Sequence, residues 1–386
     1  MRAMGEGAID QQRNHAAEAG LPALALEPFP GLEAMRSWWT ELEARADGGF
    51  YLSWHWIGAM LAESAIQPQV LTARVGGRLV GLGLLHAAVQ RRHRGLLRSR
   101  TLFLNETGDR VRDAPYIEHN GFLVDRAPGA ALEERMVVFL AASLADWDEI
   151  RFGGVPGRYR QFAQATGLPL RLVAANGTAR IDLAALRASG QSYLDQLSAN
   201  TRHQIRRSVR GYEAQGPLAI DAAATADEAN DFLDELARLH QAYWIGRGRP
   251  GAFAHPHMAR FHRRIIAAAL LRGAVELLRV RAGAATIGYL YNFIHRGWVG
   301  AYCSGFAYTE DAKLKPGYVA YKLAVERHLA AGNRVFDFLA GDNRYKTSLG
   351  KADQPLFHFD LQRPRLKLRV EAALGDLRRR LGGNKA

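Results

Sequence analysis

Cysteine is almost missing from this chain: Cys303 stands alone among 386 residues. A disulfide framework within one chain is thereby excluded, and a reducing cytoplasm is the expected compartment. Long apolar runs are missing as well. No stretch is long enough to span a bilayer, and the polar, Gly/Ala-rich segment 1–20 lacks the apolar core of a signal peptide. A loose tail is expected there. Acidic residues are in deficit, 38 Asp+Glu against 51 Lys+Arg, which leaves a formal net charge of +13. That excess favours an anionic partner: nucleotide, CoA, tRNA, anionic glycan or membrane surface.

Several motifs are also missing. No Gly-x-Ser-x-Gly elbow occurs, so a serine hydrolase is unsupported. Neither a Walker-type phosphate loop nor a complete Gly-x-Gly-x-x-Gly fingerprint is present. His255-x-His257 with His262 is the one metal-like cluster. It has no thiolate and no His-Glu-x-x-His spacing, so no metal is expected.

What is present reads as two α/β halves. The length suffices for two domains with cores, and 48% hydrophobic residues is ordinary for a globular protein. The halves echo each other. Val70-Leu71-Thr72-Ala73-Arg74-Val75 aligns with Val275-Glu276-Leu277-Leu278-Arg279-Val280, and each segment leads through a turn into a second strand. Arg151-Phe152 with Arg158-Tyr159-Arg160 sits where Asp337-Phe338 with Arg344-Tyr345-Lys346 sits later. Arg151 thus replaces Asp337, Pro156 replaces Asp342 and Arg160 replaces Lys346. The first half is expected to have lost its chemistry and to act as scaffold or acceptor clamp. A linker is expected near 185–191, followed by a helix over 193–212 with an apolar stripe and a separate stripe of Arg202, Arg206 and Arg210. The tail from Arg363 to Lys385 reads as a basic amphipathic helix, with Leu366, Val370, Leu374, Leu377 and Leu381 facing its own domain.

The most informative segment is 315–346. Lys315-Pro316-Gly317-Tyr318 opens a helix that Gly332 closes. A short apolar strand follows and ends in a loop presenting Asp342, Tyr345 and Lys346. The helix start is a natural anion site, because its first N–H groups have no intrahelical acceptor. Strands 286–293 and 298–304 carry Tyr289, Asn292 and Tyr302, polar tips of the kind that line a cleft. Trp244 to Phe253 forms a basic, Gly-rich loop suited to an acceptor lid.

Pro-Gly, helix, Asp-Phe-x-x-Gly-Asp-x-x-Tyr-Lys resembles the FemAB-related acyltransferases of the GNAT superfamily, a group that includes CelD-like and BioF2-like proteins. Asn200-x-Arg202-x-x-x-Arg206-Arg207 and Trp244-x-x-Arg247-Gly248 resemble that family's upstream landmarks. The resemblance covers 190–362 well and the first half weakly. It implies two tandem GNAT-like domains, each a mixed twisted sheet flanked by helices: 21–187, degenerate, and 188–362, active, with 363–386 as an appended helix. It implies transfer of an acyl group, acetyl first of all, from acyl-CoA to an amine on a small-molecule, glycan or peptide acceptor. Asp342, Tyr345, Lys346 and Asp337 would be catalytic. Lys315, Pro316, Gly317 and Tyr318 would hold the CoA, though the turn matches the superfamily's Gly-rich pattern only in part. Tyr289, Asn292, Tyr302, Trp244, Arg247, Arg202 and Arg206 would meet the substrate. The resemblance points to a cytoplasmic protein, peripheral to the inner membrane, in envelope or exopolysaccharide synthesis. Two alternatives stay open: a FemAB-like transferase that uses aminoacyl-tRNA, and a non-catalytic glycan- or nucleotide-binding protein.

Overall fold

The computed structural model describes residues 21–341 and 344–382. In chain order the elements are β1 (Ala23–Glu27), α1 (Leu32–Glu43), α2 (Trp54–Ser64), β2 (Gln69–Val75), β3 (Arg78–Arg92), β4 (Leu97–Leu104), β5 (Leu123–Val124), α3 (Gly129–Ser143), β6 (Glu149–Val155), α4 (Arg158–Gln164) and β7 (Leu170–Asp182). Then come α5 (Leu183–Ser189), α6 (Ala199–Glu213), β8 (Leu218–Ala222), α7 (Ala226–Ile245), α8 (Pro256–Ala269), β9 (Val275–Ala282), β10 (Ala285–His295) and β11 (Trp298–Phe306). Helix α9 (Pro316–Ala330), β12 (Val335–Asp337), α10 (Arg344–Leu349), β13 (Lys351–Gln362) and α11 (Leu366–Gly382) complete the described chain.

Two compact units result, 1–175 with 356–386, and 176–355. In the first, strands run β1-β2-β3-β4-β6, with residues 357–362 of β13 beyond β6. All contacts are antiparallel except β4 with β6, which is parallel. In the second, the order β8-β9-β10-β11-β12 ends on residues 180–182 of β7, and again only β11 with β12 is parallel. The two sheets therefore share one strand order and one pattern of directions. The parallel step is where a helix, α3 or α9, crosses between neighbouring strands, as a parallel pair requires.

Local sequence explains the hairpins. Gly76 and Gly77 both sit at positive φ, 55° and 83°, the two-residue turn that matches strand twist. The apolar strands of each unit bury one core. Trp147, Phe152 and Tyr159 lie within the first, and Leu290, Val299, Tyr321 and Phe336 within the second. Residues 185–191 are no linker: α5 runs through Ser189 and stops at Gly190 in the left-handed region. The C-terminal helix also differs from expectation. Leu366, Val370 and Leu374 are 77%, 48% and 53% exposed, whereas Leu368 is buried and Glu371 pairs with Arg92 and His93. Leu377 and Leu381 lie outside the residues whose side chains are described.

Candidate active site

In the second unit, the parallel pair β11–β12 is short. Only Trp298–Val335, Val299–Phe336 and Gly300–Asp337 pair. Beyond Asp337 the chain keeps its bonds to β7, with Phe338 N–H on the Ala179 carbonyl at 2.8 Å and Gly341 N–H on Gly177 at 3.0 Å. Among the described residues, none pairs with 301–306 of β11 on that edge. The two strands part here, since β12 continues along β7 and not along β11.

A bulge turns β11 at the same place. Tyr291 pairs with Cys303 and Asn292 with Ala301, so Tyr302 has no opposite residue. Such an insertion rotates successive side chains. Tyr302 meets His262 at 3.1 Å and Cys303 lies 3.7 Å from Nδ1 of His240. Burial pushes His262 down to about 3 and Cys303 up to about 12, so both are neutral at pH 7.

Helix α9 begins at the mouth of this splay. Pro316 occupies its first turn, where a missing N–H costs nothing. Among the described residues no side chain caps the helix and no hydrogen bond is made by the Gly317 N–H. The preceding turn is held by Ser208 of α6, which accepts from Lys315 N–H at 3.2 Å and donates to the Lys313 carbonyl at 3.3 Å. Lys315 itself is tied by its ammonium to Gln204. A Cβ at position 317 would collide with the Tyr345 hydroxyl, so glycine is required there by close approach.

Tyr345 is the group aimed at that turn. Its ring stacks on Tyr318, with centroids 5.2 Å apart and planes 6° apart. Its hydroxyl is buried and has no hydrogen-bond partner among the described residues. Burial raises the phenol well above its usual range, so it stays protonated. A cavity of about 860 Å³ opens here. Its walls are Lys315 to Tyr318, Tyr345, Phe306 to Thr309, and the end of α7 with Arg238, Tyr243 and Arg247.

The other candidates are distributed as follows. Asp337 is buried; its carboxylate accepts from Trp298 Nε1 at 3.1 Å and from Leu339 N–H at 2.7 Å. It holds a turn in which Leu339 takes φ 61°. Lys346 donates to the carbonyls of Ala340 at 2.7 Å and Leu339 at 3.3 Å. Asp342 lies outside the described residues. Tyr289 packs on Phe232, and Asn292 is fully buried with neither amide atom hydrogen-bonded among the described residues. Arg202 lies 3.9 Å from Asp195, and Arg206 is exposed on the same helix. Trp244 carries Arg249 over its ring at 5.6 Å. The cavity thus gathers Lys315, Pro316, Gly317, Tyr318, Tyr345 and Arg247, and none of Tyr289, Asn292, Tyr302, Arg202 or Arg206 lines it. Tyr243 and Tyr308, which do line it, are missed by sequence reasoning; the weak cue is that Phe306-x-Tyr308 continues the polar–aromatic run of β11 past its end.

Among the described residues no cluster of three His, Cys, Asp or Glu is placed to hold a metal, and no helix is long and apolar enough to cross a membrane. Residues 199–347 match the family model described as an acetyltransferase (GNAT) domain. No curated protein matches the chain in sequence. Among solved structures, FemX superposes with a TM-score of 0.55 at 10% identity, over 89% of this chain and 98% of that one. The C-terminal DUF2156 domain of a candidate lysylphosphatidylglycerol synthetase from Agrobacterium fabrum gives 0.53 at 11%, over 89% and 96%. L-PGS from Bacillus licheniformis gives 0.52 at 11%, over 89% and 96%. At such identities the likeness is one of fold.

Proposed function

Proceeding from a second unit that carries a GNAT acyltransferase domain, we propose that this chain moves an acyl group, acetyl in the first instance, from an acyl-CoA to an amine. The observation that carries this reading is the unpaired, buried Tyr345 hydroxyl set against Gly317 at the open start of α9. In this reading the Gly317 N–H and the end of the helix receive the CoA phosphates. The acyl-pantetheine arm follows the unpaired edge of β11 into the splay, where backbone N–H groups stabilise the oxyanion.

The amine nitrogen attacks the thioester carbonyl. The C–N bond forms, the C–S bond breaks, and the departing thiolate takes the proton of Tyr345. We assign removal of the amine proton to Asp342. Asp337 and Lys346 act as positioning residues, one holding the Leu339 turn and the other the carbonyls behind it. An amine on an envelope or exopolysaccharide precursor is the acceptor class we favour.

A second reading, with aminoacyl-tRNA as donor, is favoured by the net charge of +13 and by Arg247, which has no carboxylate partner among the described residues. Calorimetric titration separates the two. Micromolar binding of acetyl-CoA that Gly317→Leu abolishes supports the first. Absent acyl-CoA binding, with tRNA binding that falls steeply with salt, supports the second.

A further inference from the structure

Part of the cavity wall beside the start of α9 is built from stacked rings. Tyr308 and Tyr243 lie with centroids 5.1 Å apart and planes 26° apart. The Arg247 guanidinium sits 3.6 Å from the Tyr243 centroid. Tyr308 is nevertheless 56% exposed, a large fraction for an aromatic residue inside a cavity of about 860 Å³. Arg247 donates only to the Tyr243 carbonyl, at 3.3 Å, and no carboxylate among the described residues neutralises it. Arg238 differs, since Glu235 pairs with it at 2.8 Å.

Two features therefore share one enclosure. One part offers the uncapped α9 terminus and the Tyr345 hydroxyl, unpaired among the described residues; another offers an exposed aromatic face backed by a ring and by a guanidinium that no described carboxylate neutralises. A phosphate answers the first and a planar heteroaromatic base answers the second. A sugar could stack on Tyr308, but it brings no anion to the helix end. One molecule that carries both base and phosphate satisfies the whole cavity.

We propose that Tyr308, backed by Tyr243 and Arg247, is a stacking platform for the nucleobase of an adenosine phosphate. The inference rests on the donor reading above and narrows it: the donor is held by its nucleoside as well as by its phosphates. Adenosine phosphate is common to CoA and to the 3′ end of tRNA.

Calorimetry on the full chain tests it with four probes: adenosine 3′,5′-bisphosphate, CoA, 4′-phosphopantetheine and a short RNA ending in CCA. The variants are Tyr308→Leu and Tyr308→Trp, each checked by thermal melting against the unaltered chain. Tyr308→Leu is expected to weaken adenosine bisphosphate and CoA about 10-fold, to leave phosphopantetheine unchanged, and to be rescued by Tyr308→Trp. CoA binding indifferent to Tyr308→Leu overturns the platform while the donor reading stands. Failure to bind CoA, with CCA RNA binding that does depend on Tyr308, keeps the platform and overturns the acyl-CoA donor. Equal weakening of phosphopantetheine, or no binding of any probe, overturns the platform.

Discussion

Each unit places a tyrosine of the same short motif near its parallel strand pair, and the two tyrosines live differently. Tyr159, from Arg158-Tyr159-Arg160, is fully buried, and its oxygen accepts from the Phe122 N–H at 2.8 Å. Tyr345, from Arg344-Tyr345-Lys346, has a hydroxyl with no partner among the described residues and a cavity beside it. The flanking cations diverge in the same sense. Arg160 lies over the rings of Phe357 and Phe359, at 5.8 and 5.7 Å, while Lys346 grips the turn beyond β12. The last parallel pairs are Phe103–Arg151 and Gly300–Asp337. Arg151 is locked to Asp360 in a buried network that includes Glu149, Arg92 and Arg171. At this motif position, then, the first unit gives its tyrosine oxygen a backbone partner, and the second leaves its tyrosine hydroxyl without one among the described residues, beside an open helix end. In the function proposed above, that unpartnered hydroxyl is the group that does chemistry.

The sharpest way to break that contrast is Tyr345→Phe. Loss of the acid should lower kcat by roughly 10²–10⁴-fold with little change in KM. Because burial raises this phenol, the alkaline limb attributable to it should lie above the ordinary tyrosine range; a kcat–pH profile on acetyl-CoA and an amine measures both. A kcat within threefold of the unaltered chain would remove Tyr345 from the mechanism.

Next in size is Glu106→Gln, in the first unit. Glu106 stands three residues past Phe103, as Cys303 stands three past Gly300. Burial, reinforced by Asp113, pushes its carboxyl up to about 8, and one of its oxygens has no partner among the described residues. The folded chain therefore holds a proton that the unfolded chain releases near the usual carboxylate range. Stability should fall as pH rises from about 4.5 to about 8, by up to about 5 kcal/mol from this group. Urea melts at pH 5.5 and 8.5 should show a flatter dependence for Glu106→Gln, with activity unchanged. An equal slope in both chains would show Glu106 ionised throughout.

The contrast was half legible in the sequence. Pro316 and Gly332 bound α9 because both act through local rules, a fixed φ with no N–H at one end and a left-handed cap at the other. The duplicated hairpins were legible from strand pattern and turn residues for the same reason. Which side chains face the cavity was not, since the bulge at Tyr302 has no local signature yet decides where Tyr302 and Cys303 point. The amphipathic period of α11 named a stripe but not its direction, and Leu368 with Glu371 took the inward role. That residues 357–362 pair with β6 is a contact across some two hundred positions, beyond any local cue.

A smaller effect comes from Asp337→Ala. It removes the acceptor for Trp298 Nε1 and Leu339 N–H and should cost about 1–3 kcal/mol, read in a urea melt. In the reading above Asp337 works only through the turn, so Asp337→Asn, which keeps one acceptor, should recover part of both stability and kcat. Recovery of stability with kcat still at the Ala level would give Asp337 a direct part in the reaction.

The smallest expected change, Tyr159→Phe, sharpens the comparison most. It mirrors Tyr345→Phe at the corresponding motif position, but here the hydroxyl serves a backbone amide. Its loss leaves the buried Phe122 N–H without an acceptor, at a cost of about 1–2 kcal/mol in a urea melt. The ring stays packed against Phe152 and Phe162, so no large cavity forms. With kcat and KM both unchanged, the pair of variants would separate one tyrosine that holds a core from one that donates a proton. A fall in kcat on Tyr159→Phe comparable to that on Tyr345→Phe would mean the first unit takes part in catalysis, and the division of labour between the halves would have to be redrawn.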